Sequence, residues 1–183
     1  MSGRLQDDVT ITTDPRIDAL LSKQEIYELS CRYLRAQDRL MPALHRSVFW
    51  DDATTDYGFF RGGPDDFVAM AQNALKDHLS NHHMMGQAFI EVEGDVAFGE
   101  IYFQAFHRVV MNGMEKDLFI SGRYVDRYER RDGVWKIAHR SELVDWARTE
   151  PALDDWIKAS PDALLGHRGD ADLSNQRERL RTL

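Results

Sequence analysis

The sequence predicts an α+β domain, with helices first and a curved, largely antiparallel sheet after them. Three observations carry that reading. Apolar residues recur at helical spacing as far as Leu79, and from His83 onward the period drops to two. The turn signatures Glu93-Gly94-Asp95, Asn112-Gly113 and Asp132-Gly133 then divide the second half into four strand-like segments. Helices segregated from strands, rather than alternating with them, mark α+β and not a doubly wound sheet.

Residues 1–13 are polar and read as a loose arm. Asp14-Pro15 is an N-cap followed by proline at the first helical position, opening a short helix through Leu21. Ser22-Lys23-Gln24-Glu25 has the form of a capping box, which predicts a second helix to about Arg39. On it Tyr27, Cys31, Leu34 and Asp38 share one face, widened by Ile26, Leu29, Tyr33 and Leu40. Asp38 is therefore a carboxylate at the end of a core-facing stripe, and Cys31 is expected to be buried. Met41-Pro42 ends the helix, and a short helical piece comes next, through Val48-Phe49-Trp50. Thr54 to Phe60 suits a strand, Arg61-Gly62-Gly63-Pro64 a turn, and Pro64 to about Leu79 a third helix. Strands are expected at His83–Val92, Val96–Met111, Leu118–Arg130 and Val134–Trp146. Several are apolar on both faces, so one face packs on the helices and a homo-oligomer is expected to cover the other. Pro151–Ala159 reads as a last helix anchored by Trp156, and residues 160–183 as an irregular polar tail. The domain is thus expected over 14–150, with a C-terminal helix and tail over 151–183.

Composition excludes several functions. The 183 residues are 43% apolar and 30% charged, enough for one domain with a real core. A net charge of −8 argues against nucleic acid and against an anionic membrane surface. No apolar run approaches the ~20 residues of a membrane span, and the polar N-terminus does not read as a secretory signal. A cytoplasmic location is the expectation. Cys31 is the only cysteine, so neither a disulfide framework nor a cysteine-rich zinc site is expected.

The candidate chemistry is histidine chemistry. His78 and His82 stand four apart like zinc ligands on a helix, but H-E-x-x-H would need glutamate where Leu79 stands, so no metal is expected. His83 shares strand parity with Met85, Gln87 and Phe89, which places it in an apolar cavity if that face looks beneath the helices. Asp38 faces the same cavity and would fix the imidazole tautomer and stabilise its cation. A satisfied core His–Asp hydrogen bond without catalysis fits the same pattern equally well. Tyr57 alternates with Thr55 and Phe59 and offers a phenol, as a hydrogen-bond donor or simply as core. His107 lies among Tyr102, Phe103 and Phe106. Arg140 and His139 have opposite parity, so only one enters the cavity unless a bulge intervenes. No nucleophile elbow, phosphate loop or dinucleotide fingerprint is present.

Between Ile17 and Trp146 the chain resembles the SnoaL-like enzymes of the nuclear-transport-factor-2-like fold. Asp38, Trp50-Asp51-Asp52-Ala53, Asp56-Tyr57, Gly63-Pro64-Asp65-Asp66-Phe67, His83-Met84-Met85-Gly86 and Tyr128 through Lys136 occur in the family's order. The resemblance implies a cone-shaped α+β barrel, three N-terminal helices on a curved mixed sheet. Scytalone dehydratase and hexachlorocyclohexane dehydrochlorinase are the members it is most similar to. In both, residues matching Asp38 and His83 form the catalytic dyad. Tyr57 and His107 match dehydratase residues, and Arg140 matches the dehydrochlorinase arginine that assists the leaving chloride. Gln37, Tyr124 and Thr55 depart from one pattern or the other, so neither exact substrate carries over.

What the resemblance implies is a cofactor-free lyase acting on a hydrophobic cyclic or aromatic small molecule. His83 would be the base, Asp38 its orienting partner, and Tyr57 and Arg140 the groups holding developing charge. Tyr33, Trp50, Met85, Phe89, His107 and Tyr124 would line the substrate. Water is the favoured leaving group, with halide or formaldehyde as the others known in the family. The rival readings are a ketosteroid-type isomerase, a non-catalytic small subunit of a ring-hydroxylating dioxygenase, and a plain ligand-binding protein. A homotrimer or homodimer is expected.

Overall fold

The structure, a computed structural model, describes residues 14–182; the polar arm expected over 1–13 lies outside the described residues. Helix α1 spans Pro15–Asp38, opened by Asp14, whose carboxylate accepts the Arg16 amide at 2.9 Å, and by Pro15 in the first turn. The two helices expected on either side of Ser22 are one. A capping box works only where amides lack partners, and with no glycine or proline from Arg16 to Asp38 the ladder runs through Ser22, which is buried inside it. The buried face is centred on Ile26, Leu29, Ser30, Tyr33 and Gln37, with Leu34 and Asp38 on its flank. Tyr27 and Cys31 are exposed, contrary to the expected stripe. Ser30 hides its hydroxyl by bonding the Ile26 carbonyl, so a polar residue occupies a core position.

Helix α2 (Pro42–Ser47) stops short of Phe49 and Trp50, which begin strand β1 (Phe49–Asp56) instead of continuing a helix. The expected strand from Thr54 is shifted accordingly, and Tyr57 sits in the turn leading to the two-residue strand β2 (Arg61–Gly62). Helix α3 (Pro64–Lys76) ends before Leu79, whose amide joins the sheet by donating to the Arg108 carbonyl at 2.7 Å. The long strands are β3 (Ser80–Glu93), β4 (Val96–Met111), β5 (Met114–Arg131) and β6 (Val134–Pro151). The six strands form one mixed sheet in the order β2-β1-β6-β5-β4-β3, with β1 parallel to β6 and the other pairs antiparallel. Asn112-Gly113 and Asp132-Gly133 all have positive φ, as tight hairpin turns require.

Four register shifts interrupt the sheet, at Met85–Ala88, at Ser121–Gly122, at Arg127–Tyr128 and at Phe49–Thr54. At the second, a Cβ on Gly122 would lie 2.1 Å from the Leu143 carbonyl oxygen, so only glycine allows the strands to close there. Beneath α1, α2 and α3 the core is built on Ile26, Tyr33, Phe49, Phe67, Ile101, Tyr124 and Ile137. The opposite face exposes Met84, Phe89 and Trp146.

The C-terminal segment is less extended than expected. A short helix, α4 (Asp155–Ala159), leaves Trp156 71% exposed, so it anchors nothing. Beyond it the chain returns to the end of α1: the Gly169 amide bonds the Arg39 carbonyl at 2.7 Å, and Arg35 reaches Ser174 and Asn175. No helix among the described residues is long and apolar enough to cross a membrane.

Candidate active site

Asp38 is the last residue of α1 and His83 the fourth of β3. The structure brings them together twice. The ring Nδ1 lies 2.7 Å from Asp38 Oδ1, and the His83 amide donates to Oδ2 at 2.9 Å. Both side chains are almost wholly buried, 8% exposed for Asp38 and 6% for His83. A carboxylate at a helix C-terminus faces the negative end of the dipole, and these two donors offset that. They also fix the tautomer: Nδ1 carries the proton toward Asp38, leaving Nε2 as the basic nitrogen. A groove of about 350 Å³ opens beside the pair between α1 and β3, lined by Leu34, Arg39, His83 and Met85 among others.

His107 on β4 is buried edge-on to His83, with ring centroids 5.1 Å apart. Burial, then the neighbouring His83 and His78, pushes its pKa down to about 3, so it is neutral. The Asn81 amide sits 2.9 Å from Nδ1 of both His107 and His78; with its NH2 turned to the rings it donates to both. His78 and His82 lie beyond the end of α3 and are not paired on a helix. Among the described residues no three ligand-type side chains cluster to hold a metal ion.

The parity conflict on β6 is settled by a bulge. The register passes from Tyr128↔Ile137 to Arg127↔His139, making Ala138 the extra residue. Ile137 and Arg140 both point inward, while His139 turns out to Thr54 (2.7 Å) and Ser141 (3.0 Å). Arg140 is fully buried, with Nε and one terminal nitrogen bonded to Asp126 at 2.8 and 2.7 Å. Its guanidinium lies 4.0 Å from the Tyr33 ring centre and 4.2 Å from that of Tyr124. The other terminal nitrogen has no hydrogen-bond partner, a costly arrangement for a buried charge and one a bound acceptor would relieve. Tyr33 and Tyr57 share a hydroxyl–hydroxyl bond of 2.5 Å, and Gln37 donates to Tyr33 at 3.1 Å. Burial pushes the Tyr33 phenol up to about 12 and those of Tyr57 and Tyr124 well above their usual value. They are neutral donors here, not bases.

Two expected lining residues lie elsewhere. The bulge between Met85 and Ala88 reverses parity, so Met85 stays on the dyad side while Phe89 is 62% exposed on the outer face. Trp50 donates its indole N–H to the Glu129 carbonyl and is flanked by Arg131 and Lys136, apart from the dyad. Sequence reasoning missed two acidic residues. Asp126 orients Arg140. Glu142 stands two residues beyond Arg140 on the same face of β6 and pairs in register with Tyr124. Burial raises Glu142 to about 7, with the fields of His83 and Arg140 opposing. The alternation Arg140, Glu142 was the signal that could have found it.

A buried imidazole oriented by a carboxylate, near a buried guanidinium and neutral phenols, can take a proton from carbon and hold the charge that develops. Known proteins share the fold and part of the sequence. The chain is 27% identical over 135 residues to γ-hexachlorocyclohexane dehydrochlorinase of Sphingobium indicum, covering 71% of this chain and 85% of that one. A solved hexachlorocyclohexane dehydrochlorinase of type 2 superposes with a TM-score of 0.69 at 24% identity, over 75% of this chain and 95% of that one. A candidate scytalone dehydratase from Novosphingobium aromaticivorans shares the fold, with a TM-score of 0.67 at 19% identity over 75% and 93% of the two chains. The SnoaL-like domain profile matches residues 18–141, well over half the chain, and the chain belongs to that family.

Proposed function

We propose that this protein is a cofactor-independent lyase acting by dehydratase-type elimination on a small hydrophobic cyclic or aromatic compound. The observation that carries the reading is the doubly tethered His83–Asp38 pair, which leaves Nε2 free of the tether in a domain that also buries the Arg140 cation. Nε2 removes a proton from carbon next to an activating group, and the C–H electron pair becomes the new double bond. The leaving group departs with its own bonding pair. Asp38 supports the imidazolium, while Arg140 and the Tyr33–Tyr57 hydroxyls hold charge on the activating oxygen. Dehydrochlorinases among the relatives make elimination the favoured class, with water, halide or formaldehyde as the departing group.

The test is turnover of a panel of cyclic and aromatic alcohols and halides, γ-hexachlorocyclohexane included, followed by detection of the released group. His83→Ala and Asp38→Asn should each lose about 10²–10⁴-fold in kcat while keeping the circular dichroism spectrum. The double variant should be little worse than either, because the pair acts as a unit. His139→Ala, on the outer face, should stay near wild type. A substrate converted by His83→Ala at the wild-type rate would overturn the mechanism, and a rearranged product with nothing released would make the enzyme an isomerase.

A further inference from the structure

We infer that Glu142 is the acid that protonates the departing oxygen, which makes the site one built for loss of water. The inference rests on the proposed lyase activity and adds a second catalytic residue to it. A hydroxyl group leaves poorly as hydroxide, so an enzyme that expels it needs a donor as well as a base. Arg140 does not give up protons at neutral pH, the buried phenols hold theirs tightly, and Nδ1 of His83 is committed to Asp38.

Glu142 is placed for the task. It lies beside Tyr124 on the face of β6 that carries Arg140, and its charge acts on Tyr33, Tyr57 and Tyr124 together. It in turn feels His83 and Arg140. Among the described residues it makes no hydrogen bond or ion pair, although a guanidinium is close by. Asp126 already neutralises Arg140 along one edge of the guanidinium, and the remaining terminal nitrogen does not reach Glu142. One cation serves one carboxylate, and the second is left in low dielectric where the neutral acid is favoured. Burial accordingly lifts Glu142 to about 7, and it is only half-buried, so solvent can reload it. The titratable groups that interact with it are Tyr33 from α1, Tyr57 from the β1–β2 turn, His83 from β3, Tyr124 from β5 and Arg140 on its own strand.

The step balances. His83 Nε2 takes the proton from carbon, the C–H pair forms C=C, and the C–O pair moves to oxygen as that oxygen takes the Glu142 proton and leaves as water. Imidazolium and carboxylate remain, the first paired with Asp38 and the second exposed enough for solvent to stabilise it. Transfer of the imidazolium proton to Glu142 through solvent resets the site.

The test compares 3-hydroxy-1-tetralone with 3-chloro-1-tetralone, both of which yield 1-naphthol, with spontaneous loss subtracted. Glu142→Gln should lower kcat for the hydroxy ketone about 100-fold or more and cost the chloro ketone far less, since chloride needs no proton. The fall in wild-type kcat for the hydroxy ketone as pH rises through about 7 should vanish in the variant. Infrared spectra of the wild type at pH 6 should show a protonated carboxyl band that Glu142→Gln removes. Equal losses on both ketones, or no such band, overturn the role of Glu142. A wild type inactive on both ketones counts instead against the lyase reading, and the acid goes with it.

Discussion

Asp126→Asn isolates what it costs to hold Arg140 inside the domain. Both side chains of the pair are fully buried, and the carboxylate accepts from Nε at 2.8 Å, from the guanidinium at 2.7 Å and from the Tyr128 hydroxyl at 2.5 Å. Asparagine keeps the shape, loses the charge and turns an amide donor toward other donors. Breaking a buried pair from one side costs about 3–5 kcal/mol because an uncompensated charge stays behind. At roughly 2–4 °C per kcal/mol for a chain of this size, the melting temperature should fall by about 6–20 °C. Urea unfolding followed by tryptophan fluorescence reads this directly, since Trp135 is buried in the same core. Adding Arg140→Met removes the orphaned guanidinium, so the double variant should recover much of the loss. A loss under about 1 kcal/mol for Asp126→Asn, the level of exposed pairs, would refute the reasoning. So would a double variant whose loss equals the sum of the singles.

Acid should destabilise the fold through His45 and His107, which folding holds at a pKa of about 3 against 6.5. A lowered value means stability present above pH 6.5 and lost toward pH 3, at up to about 1.4 kcal/mol per pH unit and ring. Urea midpoints at pH 7 and pH 4 should therefore differ, and less so in His45→Leu; equal slopes in the two proteins would refute the assignment. Glu142 has the opposite sign: its raised value contributes stability below pH 4.5 that is lost as pH climbs through about 7. We also propose that the outer sheet face, where Met84, Phe106, Phe119 and Trp146 line a groove of about 290 Å³, is covered by further copies of the chain as a trimer or dimer. Light scattering at micromolar concentration should give that mass, and a monomer would refute it.

Legibility in the sequence tracked the range of the signal. Asn112-Gly113 and Asp132-Gly133 announce their turns because few residues accept the left-handed backbone that both positions need. Asp38 and His83 were legible as a carboxylate at a helix end and a histidine opening a sheet. The continuity of α1 was not, because Ser22-Lys23-Gln24-Glu25 is as acceptable inside a helix as at its start. Cys31 and Ser30 exchange the places that hydropathy assigns them, since a serine bonded to its own helix is cheap to bury. Glycine marks two of the bulges, at Gly86 and Gly122, but the one at Ala138 carries no such signature. One of them turns Phe89 out to solvent and another brings Arg140 in beside Ile137, so parity counted along an unbroken strand fails on both.

The bulge at Ala138 does more than admit Arg140. Every second residue after it inherits the new parity, so Glu142 shares the face of Arg140 as a consequence of the same insertion. Asp126 faces inward opposite Arg140 in register and claims it, leaving Glu142 with no cation of its own. Two carboxylates are then committed to partners, Asp38 and Asp126, and Glu142 is not. Low dielectric does the rest: it favours the protonated form of the uncommitted carboxyl. A buried cation and an uncommitted acid thus arise from one residue inserted in one strand and from the order in which a single guanidinium finds its partners.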